Sequence, residues 1–414
     1  AAYCSDDERI LYDITLEAYR KSAEEKEEPL SFEIAGAREY IYFDPSKTHT
    51  AIVTCGGLCP GTNDVIRGIV MELYYRYGAH NIFGIRYGYQ GFIPKYGHEP
   101  MILTPDEVSE IQTVGGSILA SSRGDQDIGE IVDALERMNI NIIFTIGGDG
   151  TMHGAEAIFQ EVRQRGLKIA VVGIPKTIDN DVLFIEKSFG FETAFSEACE
   201  SIKCAHTEAL GAPNGIGLVK LMGRHSGYIT ANAALGTGDA NIVLIPEVPF
   251  ELEGDRGLLA YLKARLERRG HAVILAAEGA GQELIAKHSG KHDVEHDPSG
   301  NIRLQDIGLF LKDQINVFFK KMGTEINLKY IDPSYIIRSV PANPSDSMYC
   351  AQLAHNAVHA AMAGKTGLAV GRWNNTFTHV PIKMVILKRN TLSPESQLWL
   401  DVLESTGQPE AFVN

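Results

Sequence analysis

Beyond about Tyr42, short apolar runs rich in β-branched residues alternate with longer amphipathic stretches, and this alternation constrains the fold more than any other feature of the chain. Strands are expected at Ala51 to Thr54, Asn81 to Arg86, Asn141 to Ile146, Lys168 to Ile174, Gly215 to Lys220, Asn241 to Ile245, Ala272 to Ala277 and Gly367 to Arg372. Between them, apolar residues recur at helical spacing in Asn63 to Tyr77, Ile128 to Met138, Met152 to Arg165, Phe195 to Glu208 and Leu258 to Arg268. A strand followed by a helix returns to its sheet as a parallel neighbour, so the pattern specifies an α/β fold with mainly parallel sheets flanked by helices. At 414 residues the chain is long for one core, and two domains are expected. The residues before Tyr42 are acidic and mainly helical in character, which adds a helical N-terminal arm.

Composition removes several classes of function. A formal net charge of -15 repels a nucleic acid unless basic residues are segregated, and no basic stripe is present. No apolar stretch approaches the length of a membrane span. The run Glu24-Glu25-Lys26-Glu27-Glu28 reads as a solvated helix end. Six cysteines without a CxxC pair suit a reducing compartment, so a cytoplasmic protein with neither nucleic-acid nor membrane partner is expected.

Open parallel sheets hold ligands beyond the carboxyl ends of their strands, and the chemically distinctive residues follow expected strands each time. Gly56-Gly57-Leu58-Cys59-Pro60-Gly61-Thr62-Asn63 joins a strand to a helix, where glycines let main-chain N–H groups approach an anion. It matches neither a dinucleotide fingerprint nor a P-loop, and a plain tight turn is the competing reading. Ile146-Gly147-Gly148-Asp149-Gly150-Thr151 adds a carboxylate. Beside phosphates, Asp149 needs a bridging Mg²⁺, whereas the bland alternative makes it the N-cap of a helix beginning near Met152. Pro175-Lys176-Thr177-Ile178-Asp179-Asn180-Asp181 supplies two carboxylates and a lysine, enough for one group to receive a hydroxyl proton and another to offset charge. Together these segments suit phosphoryl transfer. His288, His292 and His296 recur every four residues beside Asp293 and Asp297. Gly290 and Pro298 argue against a helical metal site there, and Lys287 to Gly300 reads as a polar loop.

Gly56-Gly57 with Pro60-Gly61-Thr62-Asn63, Gly147 to Thr151, Pro175 to Asp181, Met222-Gly223-Arg224 and Tyr335-Ile336-Ile337-Arg338 resemble, in this order, the phosphofructokinase family. The resemblance extends from about Ile52 to Gly371. It implies an ATP-dependent 6-phosphofructokinase of glycolysis that phosphorylates the 1-hydroxyl of fructose 6-phosphate, with ATP as donor and Mg²⁺ as cofactor. Asp179 matches the proton acceptor, supported by Lys176 and Asp181, and Asp149 the metal carboxylate. Gly57, Arg123, Gly124, Gly148, Asp149, Gly150 and Thr151 match the nucleotide contacts. Thr177, Ile178, Asp179, Met222, Gly223, Arg224, Glu278, Lys329, Tyr335, Ile336, Ile337 and Arg338 match the sugar-phosphate side.

The same resemblance divides the chain into an arm (1–45), a nucleotide-binding domain (46–189 and about 337–385) and a fructose-6-phosphate-binding domain (190–336 and about 386–414), and implies a homotetramer or homodimer. Lys176 and Tyr335 depart from the bacterial ATP enzymes, as does Gly215, at or near which those carry an Arg lent by a neighbouring subunit. These departures resemble the pyrophosphate-dependent enzymes and the plant and trypanosomatid ATP-dependent ones, so the bacterial allosteric contacts are not carried over residue by residue, while an allosteric enzyme is still what the resemblance implies. Pyrophosphate users typically have Asp where this chain has Gly150, which favours ATP. The alternatives are a pyrophosphate-dependent enzyme, a catalytically silent regulatory subunit that binds nucleotide or sugar phosphate, and a lipid or NAD kinase sharing only the glycine-aspartate turn.

Overall fold

A computed structural model describes residues 3–25, 27–289 and 303–414. His292, Asp293, His296 and Asp297 lie outside the described residues, as does most of the expected polar loop, whereas Lys287 and His288 end a helix, Gln282–Ser289.

The described strands are β1 (Arg9–Leu11), β2 (Ser31–Ile34), β3 (His49–Thr54), β4 (Asn81–Ile85), β5 (Met101–Ile102), β6 (Ile142–Gly147), β7 (Ala170–Pro175), β8 (Gly215–Leu221), β9 (Ile242–Leu244), β10 (His271–Ala277), β11 (Asn327–Ile331), β12 (Leu368–Trp373) and β13 (Thr376–Pro381). They form two sheets, ordered β1-β2-β13-β12-β7-β6-β3-β4-β5 and β11-β8-β10-β9. The chain divides into unit 1 (Ala1–Thr177, Val182–Gly190, Ser339–Arg389) and unit 2 (Ile178–Asp181, Phe191–Arg338, Asn390–Asn414).

In unit 1 the middle of the sheet, β4-β3-β6-β7-β12, is parallel. Every residue of β6 and β7 is buried, which is why both read as continuous apolar runs and not as alternating ones. Helices Thr62–Met71, Ile128–Arg137, Asp149–Gln164 and Pro344–Met362 belong to this unit. Asp127 caps the second of them by accepting the Glu130 N–H at 2.9 Å. The helix expected to run from Asn63 to Tyr77 stops at Met71 and continues as a π-helical turn, Glu72–Tyr77.

The N-terminal arm differs from the expected helical one. Its helix, Leu16–Glu25, has no buried residue, and on either side β1 and β2 pair antiparallel and extend the sheet through β13. Three- and four-residue strands carry too little periodicity to be legible. Side chains fix the arm instead: Tyr12 stacks on Trp373 with centroids 4.9 Å apart. Arg38 bonds Asp6 at 2.9 Å and Glu33 at 2.6 Å, and Glu33 also meets Lys365 at 2.7 Å and His379 at 3.2 Å. Burial pushes the Glu33 carboxyl up, but its bonds to His379, Lys365 and Arg38 outweigh that and hold it at about 2.

In unit 2 all four strands are parallel. Ile216 and Leu218 of β8 face a core that includes Ile274, Leu262, Leu311 and Phe319. On the other face of β8, a Cβ at Gly217 would lie 2.6 Å from the Ala205 carbonyl, so glycine is what lets helix Phe191–Leu210 approach the strand.

Candidate active site

Three turns of unit 1 leave the carboxyl ends of β3, β6 and β7. After β3, the Gly56 N–H donates to the Ser122 carbonyl at 3.2 Å, and Ser121 Oγ donates to the Gly56 carbonyl at 2.7 Å. These bonds lay the exposed Arg123 and Gly124 alongside Gly57. Lys176, itself buried, donates from Nζ to the Gly57 carbonyl at 2.5 Å, and its N–H reaches the Gly147 carbonyl at 2.8 Å. One lysine thereby links all three turns. The Thr177 carbonyl accepts a bond from Ser188 Oγ at 2.6 Å.

The helix after β6 begins at Asp149 with Gly148 in the cap position, so Asp149 lies in the first turn and is not the N-cap. The first intrahelical bond runs from the Met152 N–H to the Gly148 carbonyl at 3.0 Å. The N–H groups of Asp149, Gly150 and Thr151 precede it, and such groups are the donors an anion meets at a helix N-terminus. Thr151 is buried, with its carbonyl bonded by the Tyr89 hydroxyl at 2.9 Å. Gly150 is exposed, and a Cβ built there meets nothing within 4 Å. The Asp149 side chain is 38% exposed, 3.3 Å from Arg389 Nη2 and 3.5 Å from His153 Nδ1. Among the described residues no three His, Cys, Asp or Glu side chains are grouped to hold a metal. An accessible lone carboxylate fits Mg²⁺, which completes its shell with phosphate oxygens and water.

The boundary between the units falls within the second acidic segment, between Thr177 and Ile178. In unit 2, Asn180 adopts φ 54°, a left-handed conformation that asparagine tolerates. The turn is tied at both carboxylates' main chains: Ser226 Oγ donates to the Asp179 carbonyl at 2.8 Å, and the Asn390 N–H donates to the Asp181 carbonyl at 2.8 Å. Ile178 and Asp181 are buried, while Asp179 is partly exposed.

Ser226 closes the turn that carries Met222, Gly223 and Arg224 out of β8. Gly223 has φ 125°, and a Cβ there would lie 2.5 Å from the Ser226 carbonyl, so only glycine fits. The parallel pairing of β8 and β10 sets Glu278 beside this turn, its N–H bonded to the Leu221 carbonyl at 2.8 Å and that of Gly279 to Gly223 at 3.1 Å. Burial pushes the Glu278 carboxyl up, and the fields of Arg224, Lys220 and Arg338 partly offset it, so these charges converge on one place. The Arg338 guanidinium lies over the Tyr335 ring at 4.9 Å, and its Nε is buried without a hydrogen bond among the described residues. Tyr335 and Ile336 are exposed, whereas Ile337 is fully buried and presents only its main chain. Lys329 is exposed on the face of β11 opposite Tyr330, whose ring packs on the core.

The family model described as Phosphofructokinase matches residues 49–361, more than half of the chain. The chain belongs to the phosphofructokinase family. It is 54% identical, over 94% of its length and 87% of the relative's, to a protein of Borreliella burgdorferi named ATP-dependent 6-phosphofructokinase. It is 49% identical to ATP-dependent 6-phosphofructokinase 7 of Arabidopsis thaliana, over 91% of this chain and 77% of that one. The crystal structure of a pyrophosphate-dependent phosphofructokinase from Marinobacter aquaeolei superposes with a TM-score of 0.70 at 18% identity, covering 87% of this chain and 91% of that one, a likeness of fold alone.

Against this family background, three neighbours of the motifs were not singled out from the sequence. Arg389 reaches Asp149 from 240 residues away, Ser226 supports Asp179, and Glu247 accepts the Gly227 N–H at 3.0 Å and the Leu392 N–H at 2.7 Å. Each is a contact between distant segments, which residue spacing does not encode. For Ser226 alone there was a hint, its place two residues after Arg224 in the same turn.

Proposed function

We propose that the chain is an ATP-dependent 6-phosphofructokinase: it transfers the γ-phosphoryl group of ATP to the 1-hydroxyl of fructose 6-phosphate, yielding fructose 1,6-bisphosphate and ADP. The observation that carries this reading is the bond from Ser226 Oγ to the Asp179 carbonyl. It couples the expected proton acceptor to the turn bearing Arg224, beside Glu278, so one unit combines a base, cations for a phosphate and a carboxylate for sugar hydroxyls.

In this mechanism Arg224, Arg338 and Tyr335 hold the 6-phosphate, assisted by Lys329, while Glu278 accepts hydrogen bonds from the sugar. Thr177, Ile178, Met222, Gly223, Ile336 and Ile337 shape that side, mainly through the main chain. Asp179 takes the proton of the 1-hydroxyl, the alkoxide attacks the γ-phosphorus, and ADP departs. Asp181 supports the turn. Gly57, Gly124, Gly148, Gly150 and Thr151 receive the nucleotide phosphates, with Lys176 and Arg123 offsetting charge that builds on the transferred group. Asp149 would hold Mg²⁺, which when bound neutralises the phosphates. Unit 1 is then the nucleotide side and unit 2 the sugar-phosphate side. As in the family at large, a homotetramer or homodimer is the proposed assembly. A cytoplasmic setting is proposed from six scattered cysteines without a CxxC pair, and no described helix is long and apolar enough to cross a membrane.

A coupled assay offering fructose 6-phosphate with ATP or with pyrophosphate tests the reading. Turnover with ATP at least tenfold above that with pyrophosphate is expected. Preference for pyrophosphate, or binding of both ligands without product, contradicts it.

A further inference from the structure

We propose that Lys220 is a positioning residue for the sugar phosphate: its ammonium ties the end of β8 to the segment that carries Tyr335 and Arg338, and cancels the charge of Asp332 beside it. This inference rests on the proposed sugar-phosphate site. Lys220 is the penultimate residue of β8, two before Met222, and its side chain is only 12% exposed. Its Nζ lies 2.8 Å from Asp332 Oδ2 and 2.9 Å from Asp306 Oδ2. The geometry follows from register. β11 runs parallel to β8 with Ile331 level with Val219, so Asp332 arrives level with Lys220 at the point where the chain leaves the sheet.

Both carboxylates have second tasks that fix them in place. Asp306 caps helix Ile307–Lys321 by accepting the Leu309 N–H at 2.9 Å, and it also accepts the Tyr330 hydroxyl at 3.0 Å. Asp332 accepts the Ser334 N–H at 3.1 Å and its hydroxyl at 2.5 Å, which starts the turn leading to Tyr335. Lys220 therefore joins three segments of unit 2: the strand entering the Met222 to Arg224 turn, a capped helix, and the loop from Asp332 to Arg338.

Two carboxylates engage the ammonium, so Lys220 does not itself present a charge to substrate; that task falls to Arg224 and Arg338. The electrostatics agree. Burial pushes the Glu278 carboxyl up, Arg224, Lys220 and Arg338 partly offset this, and Asp332 adds to the rise, so the field of Asp332 reaches the place where the sugar phosphate is proposed to bind. Without Lys220, that carboxylate would repel an incoming phosphate, and the loop would lose its tether.

The test is a double-mutant cycle on steady-state kinetics with fructose 6-phosphate and ATP. Lys220→Met and Asp332→Asn are each expected to raise the KM for fructose 6-phosphate about tenfold, and the double variant no more than either alone, because both delete one interaction. The KM for ATP and kcat at saturating sugar phosphate stay within about threefold, and Lys220→Arg restores most of the lost affinity. A merely structural lysine would instead lower kcat and the melting temperature and raise both KM values together. That pattern, multiplicative single effects or an unchanged sugar-phosphate KM overturns the proposal. Should Lys220→Met fail to fold, Asp332→Asn and Lys220→Arg decide it by the same sugar-phosphate KM. If the wild-type chain turns over no fructose 6-phosphate, the proposed function fails, and equilibrium binding of fructose 6-phosphate to wild type and variants then decides the role of Lys220.

Discussion

Gly150→Asp separates the proposed donor site from the stability of the fold. The position is exposed in the first turn of a helix, and a Cβ there meets nothing within 4 Å. The Cβ of an aspartate is thus accommodated, and the exposed position leaves its carboxylate in solvent. A carboxylate in a helix first turn is favourable by about 0.3–1 kcal/mol, and replacing a helical glycine adds a few tenths more, so the melting temperature should hold or rise slightly. For the nucleotide the sign is opposite. Two unit charges about 4 Å apart repel by about 4 kcal/mol at an effective dielectric of about 20 and by about 1 in bulk water. An exposed helix end lies between these limits, so about 2 kcal/mol is expected, or roughly a 30-fold loss of ATP affinity. Calorimetric titration with MgATP, the steady-state KM for ATP and a thermal melt measure both effects on one sample. The KM for fructose 6-phosphate should not move. Pyrophosphate, which has no third phosphate, should lose proportionately less. An unchanged ATP affinity in a folded variant would refute the placement of phosphates at this turn, and a collapse of the melting temperature would refute the open space at Gly150.

Glu278→Gln should stabilise the protein while weakening substrate binding. Burial raises the carboxyl against the partial offset of Arg224, Lys220 and Arg338, so the ionised form costs stability at neutral pH, and that cost disappears as pH falls below the ordinary value of 4.5. Melts from pH 4 to pH 8 should show the variant ahead only at the upper end, with the KM for fructose 6-phosphate raised about tenfold; a variant less stable at pH 7 contradicts this. Glu33→Gln acts the other way. With the carboxyl lowered from 4.5 to about 2, its contribution is fully present above about pH 4.5 and is lost as pH falls toward 2. The substitution should cost up to about 3 kcal/mol at pH 7 and hasten proteolysis within residues 3–25, with the gap to wild type closing below pH 4.5. A gap of constant size down to pH 3 would be the wrong result.

What could be read in the sequence follows from how each contact is encoded. The strands buried almost throughout, β3, β6, β7, β8 and β10, are rich in apolar residues, and each was legible to within two residues at its ends. β11 was not, because its residues are partly buried or exposed and alternate Lys329 with Leu328 and Tyr330. Helix Pro344–Met362 was also missed, although its buried residues Tyr349, Cys350, Leu353, Ala354, Ala357 and Val358 recur at helical spacing. Glycine and aspartate at strand ends were visible because their chemistry is carried by residue type and spacing. Lys220 was not, since a lysine in a strand is ordinary until Asp306 and Asp332, 86 and 112 residues later in the chain, close on it. For the same reason Arg389 gave no sign of its contact with Asp149.

The central claim is that Asp179 accepts the proton of a sugar hydroxyl. The most direct test is the turnover of Asp179→Asn with fructose 6-phosphate and MgATP. The main-chain bonds from Ser226 and Asn390 that hold the turn do not depend on the carboxylate, so the variant should fold and bind both substrates within a few-fold of wild type. Its kcat should fall by about 10² to 10⁴. Turnover within a few-fold of wild type would contradict the claim.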